Sequence, residues 1–339
     1  MAPVLLLLFL VGLAGVGYQL VGAARDATRV PPLGRLVDTG HGQRLHLHDV
    51  GTGCPTVVFD AGIAASSLSW SRVQPRVAVF TRTCSYDRIG LAWSDAGRGR
   101  VDAVELARQL EALLGAADVA PPYVLVGHSF GTFVVRAFAQ QHRDSVVGLV
   151  LVDPIFPSEW LHMTPGARRR LSGGVVLSRV GALFARVGAV RLCLTLLAAG
   201  STRVPRRASQ LFGSDAARVL RRLVGEVQKL PREAWPAVQA HWSQPKCFVS
   251  MARHLAGLTR SAAQVAEFDP LGDLPLVVIT AASQPEAGRV EHARLAGLSS
   301  RGHQVTAASS GHWIHLDEPD LIVQSIRNVI DQSNAGSAA

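Results

Sequence analysis

Gly127-His128-Ser129-Phe130-Gly131 is the stretch of this 339-residue chain whose residue types and spacing most directly imply chemistry. A serine between two glycines at G-x-S-x-G spacing fits a sharp strand-to-helix turn that lifts a hydroxyl clear of a sheet, where a neighbouring base can activate it against a carbonyl. Tyr123-Val124-Leu125-Val126 before it reads as a buried strand, and Phe130, Val134, Ala137 and Phe138 after it recur at helical spacing. A base is expected at His312, in the loop Ser309-Ser310-Gly311-His312-Trp313-Ile314-His315 after the last predicted strand, with His315 as the second choice. An acid is expected at Asp153, because it directly follows the apolar run Gly148 to Val152 and reactive residues of parallel sheets gather at the carboxyl ends of strands. The order Ser129, acid, His312 is the chain order of a serine triad on alternating strands and helices. Asp60-Ala61-Gly62-Ile63-Ala64-Ala65 follows a further strand, and its small residues let backbone approach a ligand. The N–H groups of Ile63 and Phe130 are the expected pair of donors to an oxyanion.

The elements that must position these groups follow from periodicity. Gly34 to Asp38 and Gln43 to Val50 read as an antiparallel hairpin, Thr56 to Phe59 and Val77 to Phe80 as strands, and Val101 to Ala116 as an amphipathic helix. Leu274 to Ile279 and Gln304 to Ala307 are later strands, Val290 to Leu298 is a helix between them, and a last helix begins at Glu318-Pro319. Such alternation predicts a mostly parallel sheet covered on both faces. Between Ile155 and Phe268 the alternation stops, and helices interrupted by glycine and proline read as an inserted cap. His46 and His48 alternate with Leu45 and Leu47; a metal site completed by His41 or Asp49 is set aside in favour of a solvated strand face. Asp87 and Arg88, in Tyr86-Asp87-Arg88-Ile89-Gly90, read as structural ion-pairing residues.

With 48% hydrophobic and 17% charged residues the chain is globular, and its net charge of +9 raises nucleic acid or an anionic membrane as partners. The basic residues concentrate at 168–260 without a nucleic-acid signature, and aromatic content is only 6%, so nucleic acid is not expected. Arg168-Arg169-Arg170, Arg206-Arg207, Arg221-Arg222 and Lys229 lie beside apolar runs, as expected either of a cap resting on an anionic membrane surface or of a solvated cap around an apolar substrate pocket. The four cysteines form no C-x-x-C pair, which argues against zinc and redox motifs; they read as small core residues, with a disulfide left open. Neither a metal nor an organic cofactor is expected. Pro3 to Ala24 is apolar and about long enough to cross a bilayer. It is an uncleaved anchor followed by Arg25, Arg29 and Arg35, or a signal segment with a small-residue site at Gly22 and Ala24; the membrane side and the oligomeric state are left open.

Over residues 34–331 the chain resembles the α/β-hydrolase superfamily, on Gly127-His128-Ser129-Phe130-Gly131, Ser310-Gly311-His312, Tyr86-Asp87-Arg88-Ile89-Gly90 and the strand from Leu149 to Pro154. It looks most like bacterial members with an N-terminal hydrophobic segment. The resemblance implies an α/β-hydrolase fold, with a mostly parallel central sheet, helices on both faces and a helical cap after strand six. The expected layout is a hydrophobic segment at 1–24, a linker at 25–33, a core at 34–154 and 269–331, a cap at 155–268 and a disordered tail at 332–339. It also implies a serine hydrolase that cleaves a small apolar carboxylic ester through an acyl-enzyme, without a cofactor. Three departures stand out: Thr132 where a further glycine is common, Ala64-Ala65 for a glycine pair, and no aspartate in the loop after Thr280, where Glu286 is the first carboxylate. Lipases of the pancreatic type instead carry the acid directly after strand six, so Asp153 is preferred and Glu286 is the alternative. Lactone, amide or carbon–carbon bond hydrolysis on the same triad, and a degenerate membrane-tethered ligand-binding protein, are the alternative functions. Ser129 in place of an aspartate argues against epoxide and haloalkane hydrolysis.

Overall fold

Continuous apolar runs such as Val146 to Val152 can bury both faces only between helices, and the chain folds accordingly. A computed structural model describes residues 1–40, 42–199 and 227–337. Eight strands form one sheet: β1 (Arg35–Asp38), β2 (Arg44–Val50), β3 (Thr56–Asp60), β4 (Thr83–Tyr86), β5 (Tyr123–His128), β6 (Val146–Val152), β7 (Leu276–Ala281) and β8 (Gly302–Ala307). Their order is β1-β2-β4-β3-β5-β6-β7-β8; the β1-β2 and β2-β4 pairs are antiparallel and all others parallel. Alternate residues feed opposite cores. Val58 and Leu125 pack with Leu106, Leu110 and Phe133 on one face, while Val57, Val124 and Val126 pack with Ile322 and Ile326 on the other.

The helices are α1 (Ala2–Arg29), α2 (Gln74–Val77), α3 (Ala103–Ala116), α4 (Gly131–Gln141), α5 (Pro157–Leu161), α6 (Pro165–Arg186), α7 (Ala189–Ala198), α8 (Trp235–Trp242), α9 (Pro245–Ala266), α10 (Glu286–Ala296), α11 (Ile314–Asp317) and α12 (Pro319–Ser337). Helices α5 to α9 lie between β6 and β7, where the cap is expected; α9 packs on α5 and α6 and reaches α3 and α4 of the core. Arg206, Arg207, Arg221, Arg222 and His41 lie outside the described residues.

Several expectations need correction. Val77 to Phe80 is not a strand: Pro75 starts a helical turn that buries Val77 and leaves Val79 exposed, and the strand comes later, at β4. The linker expected at 25–33 is helical through Arg29, and the break falls at Val30, whose backbone is pushed out of the helical region by Pro31. The tail expected from residue 332 is helical through Ser337, and Arg301 Nη2 donates to the Gln332 carbonyl at 2.7 Å. His46 is not solvated; it is buried with Nδ1 2.8 Å from Asp87 Oδ2. Cys84 and Cys247 are buried, but Cys54 and Cys193 are exposed, and all four are free thiols.

Candidate active site

Strand register brings the candidate groups to one edge of the sheet. Asp60 pairs with Gly127 across β3-β5, His128 with Val152 across β5-β6, and Val152 with Ile279 across β6-β7. The residues that follow these positions, Ala61 to Ala65, Ser129, Asp153 and Thr280 to Gln284, therefore emerge side by side at the carboxyl ends of their strands.

Ser129 sits on the turn from β5 to α4 with φ +53°, a left-handed conformation that costs about 1–3 kcal/mol for a residue with a side chain. Three contacts hold it there. Its N–H donates to the Val152 carbonyl at 3.0 Å, and its carbonyl accepts the Thr132 N–H at 3.1 Å and the Thr132 hydroxyl at 2.6 Å. Thr132, a departure from the expected glycine, thus closes the turn. The flanking glycines are required by space: a Cβ on Gly127 would lie 2.8 Å from the Gly131 backbone, and one on Gly131 would lie 2.6 Å from the Asp60 carbonyl oxygen.

Asp153 and His312 come together. His312 Nδ1 donates to Asp153 Oδ2 at 2.6 Å, which leaves Nε2 as the ring's lone-pair nitrogen. The other carboxylate oxygen, Oδ1, accepts the Ala281 N–H at 3.2 Å and Gln284 Nε2 at 3.1 Å. Asp153 itself has φ +41° and donates its N–H to the Ile279 carbonyl at 2.7 Å, so β7 fixes both its backbone and its side chain. His128 Nε2 donates to the His312 carbonyl at 2.8 Å, and the two rings are 4.7 Å apart. Burial, with His315 and His312 nearby, pushes the His128 imidazole well below its usual range, so it stays neutral and keeps this bond. Ser129 Oγ forms no hydrogen bond with His312 among the described residues.

The other two candidates are placed elsewhere. His315 is buried against Trp70 and His128, and neither ring nitrogen has a partner among the described residues. Glu286 begins α10 with its side chain 81% exposed and 4.0 Å from Arg289.

The loop after β3 reaches the serine through Gly62, where an added Cβ would lie 3.5 Å from Ser129 Cβ. Arg88 fixes that loop. Its Nη2 donates to the carbonyls of Ala61 and, at 2.6 Å, Gly62, while its Nε lies 3.3 Å from Asp60 Oδ1. In a trans peptide the N–H points opposite to the carbonyl, so holding the Gly62 carbonyl toward Arg88 turns the Ile63 N–H away from it. Neither that N–H nor the one of Phe130 has a backbone acceptor among the described residues. Ala64, at φ +61°, occupies the conformation that explains a glycine preference at this place. Asp87 does not pair with Arg88. It accepts from His46 and, at 2.8 Å, from the Ser67 N–H; burial alone would raise its carboxyl, but these partners hold it below the usual range.

Sequence reasoning missed Gln284, His128 and the grip of Arg88 on the Ala61 and Gly62 carbonyls. Gln284 is a polar side chain in the loop after Thr280, where the family resemblance calls for a carboxylate. His128 occupies a variable place in its motif, and nothing local announces the bond to His312.

The strand order, the elbow and the cap inserted after β6 define the doubly wound α/β class to which hydrolases of this design belong. A sequence profile described as the alpha/beta hydrolase fold matches residues 55–319, and the chain belongs to that family. An uncharacterized protein of Bacillus subtilis, YqjL, is 36% identical over 107 residues, 32% of this chain and 42% of that protein. A haloalkane dehalogenase of Sphingobium indicum is 33% identical over 124 residues, 35% of this chain and 42% of the dehalogenase. These matches span less than half of either relative. Among solved structures, a thermophilic esterase from Thermogutta terrifontis superposes with a TM-score of 0.60 at 19% identity, over 88% of this chain and 98% of the esterase. The epoxide hydrolase CorEH superposes with a TM-score of 0.62 at 17% identity, over 87% and 98% of the two chains. Likeness at this level of identity shows the fold.

Proposed function

We propose that the protein is a serine hydrolase that cleaves an apolar carboxylic ester, with Ser129 as nucleophile, His312 as base and Asp153 as the acid. The observation that carries this reading is the bond from His312 Nδ1 to Asp153 Oδ2, formed beside a serine held at φ +53°. With Nδ1–H committed to the carboxylate, Nε2 can take the Ser129 proton as Oγ attacks the ester carbonyl, and Asp153 stabilises the imidazolium that results. The N–H groups of Ile63 and Phe130 would bind the oxyanion, each worth about 3 kcal/mol of transition-state stabilisation. His312 then returns its proton to the leaving alcohol, and a water activated by the same imidazole hydrolyses the acyl-enzyme.

The relatives include enzymes that open carbon–halogen and epoxide bonds, but a serine nucleophile suits a different substrate. Displacement at an alkyl carbon by a serine would leave an ether, which water does not hydrolyse, whereas acylation leaves an ester, which it does. An apolar substrate is favoured by Ile155 and Trp160, which follow Asp153 and pack against the core as the chain enters the cap. The test is hydrolysis of p-nitrophenyl esters and labelling by a serine-directed phosphonate. Ser129→Ala should abolish both and leave the melting temperature within a few degrees of wild type; retained turnover in that variant would overturn the assignment.

A further inference from the structure

The second half of α1 is built into the cap. At Gly15 the helix lies so close to the Val187 carbonyl that a Cβ would overlap it, and a Cβ on Gly188, at φ +71°, would lie 2.7 Å from the Gly15 carbonyl oxygen. Gly22 meets the Arg191 guanidinium in the same way, with 2.6 Å to Nε. Gln19, buried in this contact, donates Nε2 to the Ser243 carbonyl at 3.0 Å and accepts from Arg191 Nε at 2.9 Å. Arg191 Nη1 completes the latch, 2.7 Å from Asp26 Oδ2. Cleavage at Ala24 would strip Gln19 from a buried guanidinium and from the Ser243 carbonyl, which is costly, so the latch argues for a retained helix.

The outward side of this assembly is apolar. Helix α1 is long and apolar enough to cross a membrane, its most apolar 18-residue stretch having a mean hydropathy of 2.3, a property that signal sequences share. Its docked half exposes Tyr18, Leu20 and Val21. On α6, Val176 and Leu183, followed by Val187 just past its end, recur at helical spacing on the exposed side with Phe184, while Ser178, Ala182 and Ala185 face the protein. Arg179 and Arg186, both exposed, flank that stripe, and α7, bent 87° from α6, adds exposed Leu192 and Leu196. An apolar stripe edged by arginines on a helix packed from behind is the pattern of a segment lying in a membrane interface, its arginines reaching out to headgroups.

Depth is shared between the two parts. The part of α1 ahead of the Gly15 contact, Ala2 to Ala14, measures about 20 Å at 1.5 Å per residue, so it enters the hydrocarbon core while the Gly15 contact stays near its boundary. Because Gly15 is packed on Val187, a bilayer that covers Tyr18, Leu20 and Val21 also covers Leu183, Phe184 and Val187. We propose that α6 and α7 of the cap are immersed in the headgroup–acyl boundary of the bilayer that α1 enters, held there by the Gln19–Arg191–Asp26 latch. The proposal rests on reading α1 as membrane-inserted and is independent of the hydrolase chemistry.

The test is depth-resolved quenching on the full chain bound to vesicles of phosphatidylcholine with one-fifth phosphatidylglycerol. In a Cys54→Ser, Cys193→Ser background, an environment-sensitive fluorophore is attached through Leu183→Cys and, as a reference on the exposed side of α12, through Gln324→Cys. Lipids brominated on the acyl chain should remove roughly half or more of the emission at position 183, as expected for a shallowly buried site, and leave position 324 unchanged. Aqueous iodide should do the reverse. Iodide access at 183 that vesicles do not alter, equal lipid quenching at both positions, or protection of 183 from both quenchers would each overturn the proposal, the last by pointing to a protein cover. Loss of ester hydrolysis would leave the quenching result untouched, so the two readings fail separately.

Discussion

Asp153 uses one carboxylate oxygen for the Ala281 N–H and Gln284 Nε2 and the other for His312 Nδ1. This division makes Asp153→Asn a sharp probe. Two donors face Oδ1, so the amide must turn its oxygen toward them and its NH2 toward His312. The imidazole then has to accept at Nδ1 and carry its proton on Nε2, the nitrogen that should receive the serine proton. Turnover should fall about 10³–10⁴-fold with little change in stability, the size of effect expected when a serine triad holds the wrong tautomer. Glu286→Gln, at an exposed side chain outside this network, should leave kcat within about twofold. Steady-state kinetics of the two variants beside wild type check the assignment, and the reverse ranking would transfer the acid role to Glu286. The preference for Asp153 was legible in the sequence only as a position at a strand end. Its decisive partners, Ala281 and Gln284, come from the end of β7 and the loop after it, more than a hundred residues away, and no local pattern announces them.

At the scale of elements, the elbow works because β3, β5 and α4 meet at backbone distance. A Cβ on Gly131 would lie 2.6 Å from the Asp60 carbonyl oxygen and 2.8 Å from that of Ala61, and backbone cannot move aside as a flexible side chain would. Gly131→Ala should therefore push α4 off the loop that carries Ile63, costing about 1–3 kcal/mol as overpacking does, and lower ester turnover along with it. Gly311→Ala, where nothing lies within 4 Å of the added methyl, should leave the melting temperature unchanged. Thermal melts of both variants test this, and equal stability would mean that the glycine pattern at the elbow is not set by space. Strands buried on both faces were readable because an apolar run has few other uses, and the parallel sheet followed from their alternation with helices. The run Val77 to Phe80 misled because four apolar residues fit a buried strand and a helical turn equally well, and the deciding contact, Val77 in the core with Val79 outside, is tertiary. His46 misled for a related reason: alternation with leucine marks it as the polar side of a strand, but Asp87 follows the neighbouring strand β4 and turns that polar side into a buried His46–Asp87 contact.

Across the whole molecule the cap and core meet through buried histidines. His241 on α8 packs edge-on against Trp93 at 4.4 Å, and His254 on α9 packs against Phe130 of the elbow at 5.7 Å. Burial pushes His241 down to about 4 and His254 to about 3, and His315 in the core is likewise pushed to about 3. In the unfolded chain each imidazole binds its proton near its ordinary pKa of about 6.5. Between that value and the folded one the unfolded state holds more protons than the native state. Folding stability is then complete above pH ~6.5 and falls as the solution is acidified toward pH 4 and below, by up to about 1.4 kcal/mol per pH unit for each such histidine. Asp87, held below its usual range in the fold, adds a loss in the same direction at still lower pH. The melting temperature should therefore drop steadily from pH 7 to pH 5, and His241→Gln, which removes one proton acceptor while keeping a polar side chain, should have a shallower pH dependence even if it is less stable at pH 7. Since two of the three histidines lie between cap and core, protease nicking of the cap should accelerate over the same interval. A melting temperature that is flat from pH 7 to pH 5, or an unchanged slope in His241→Gln, would show that these imidazoles do not stay neutral in the fold.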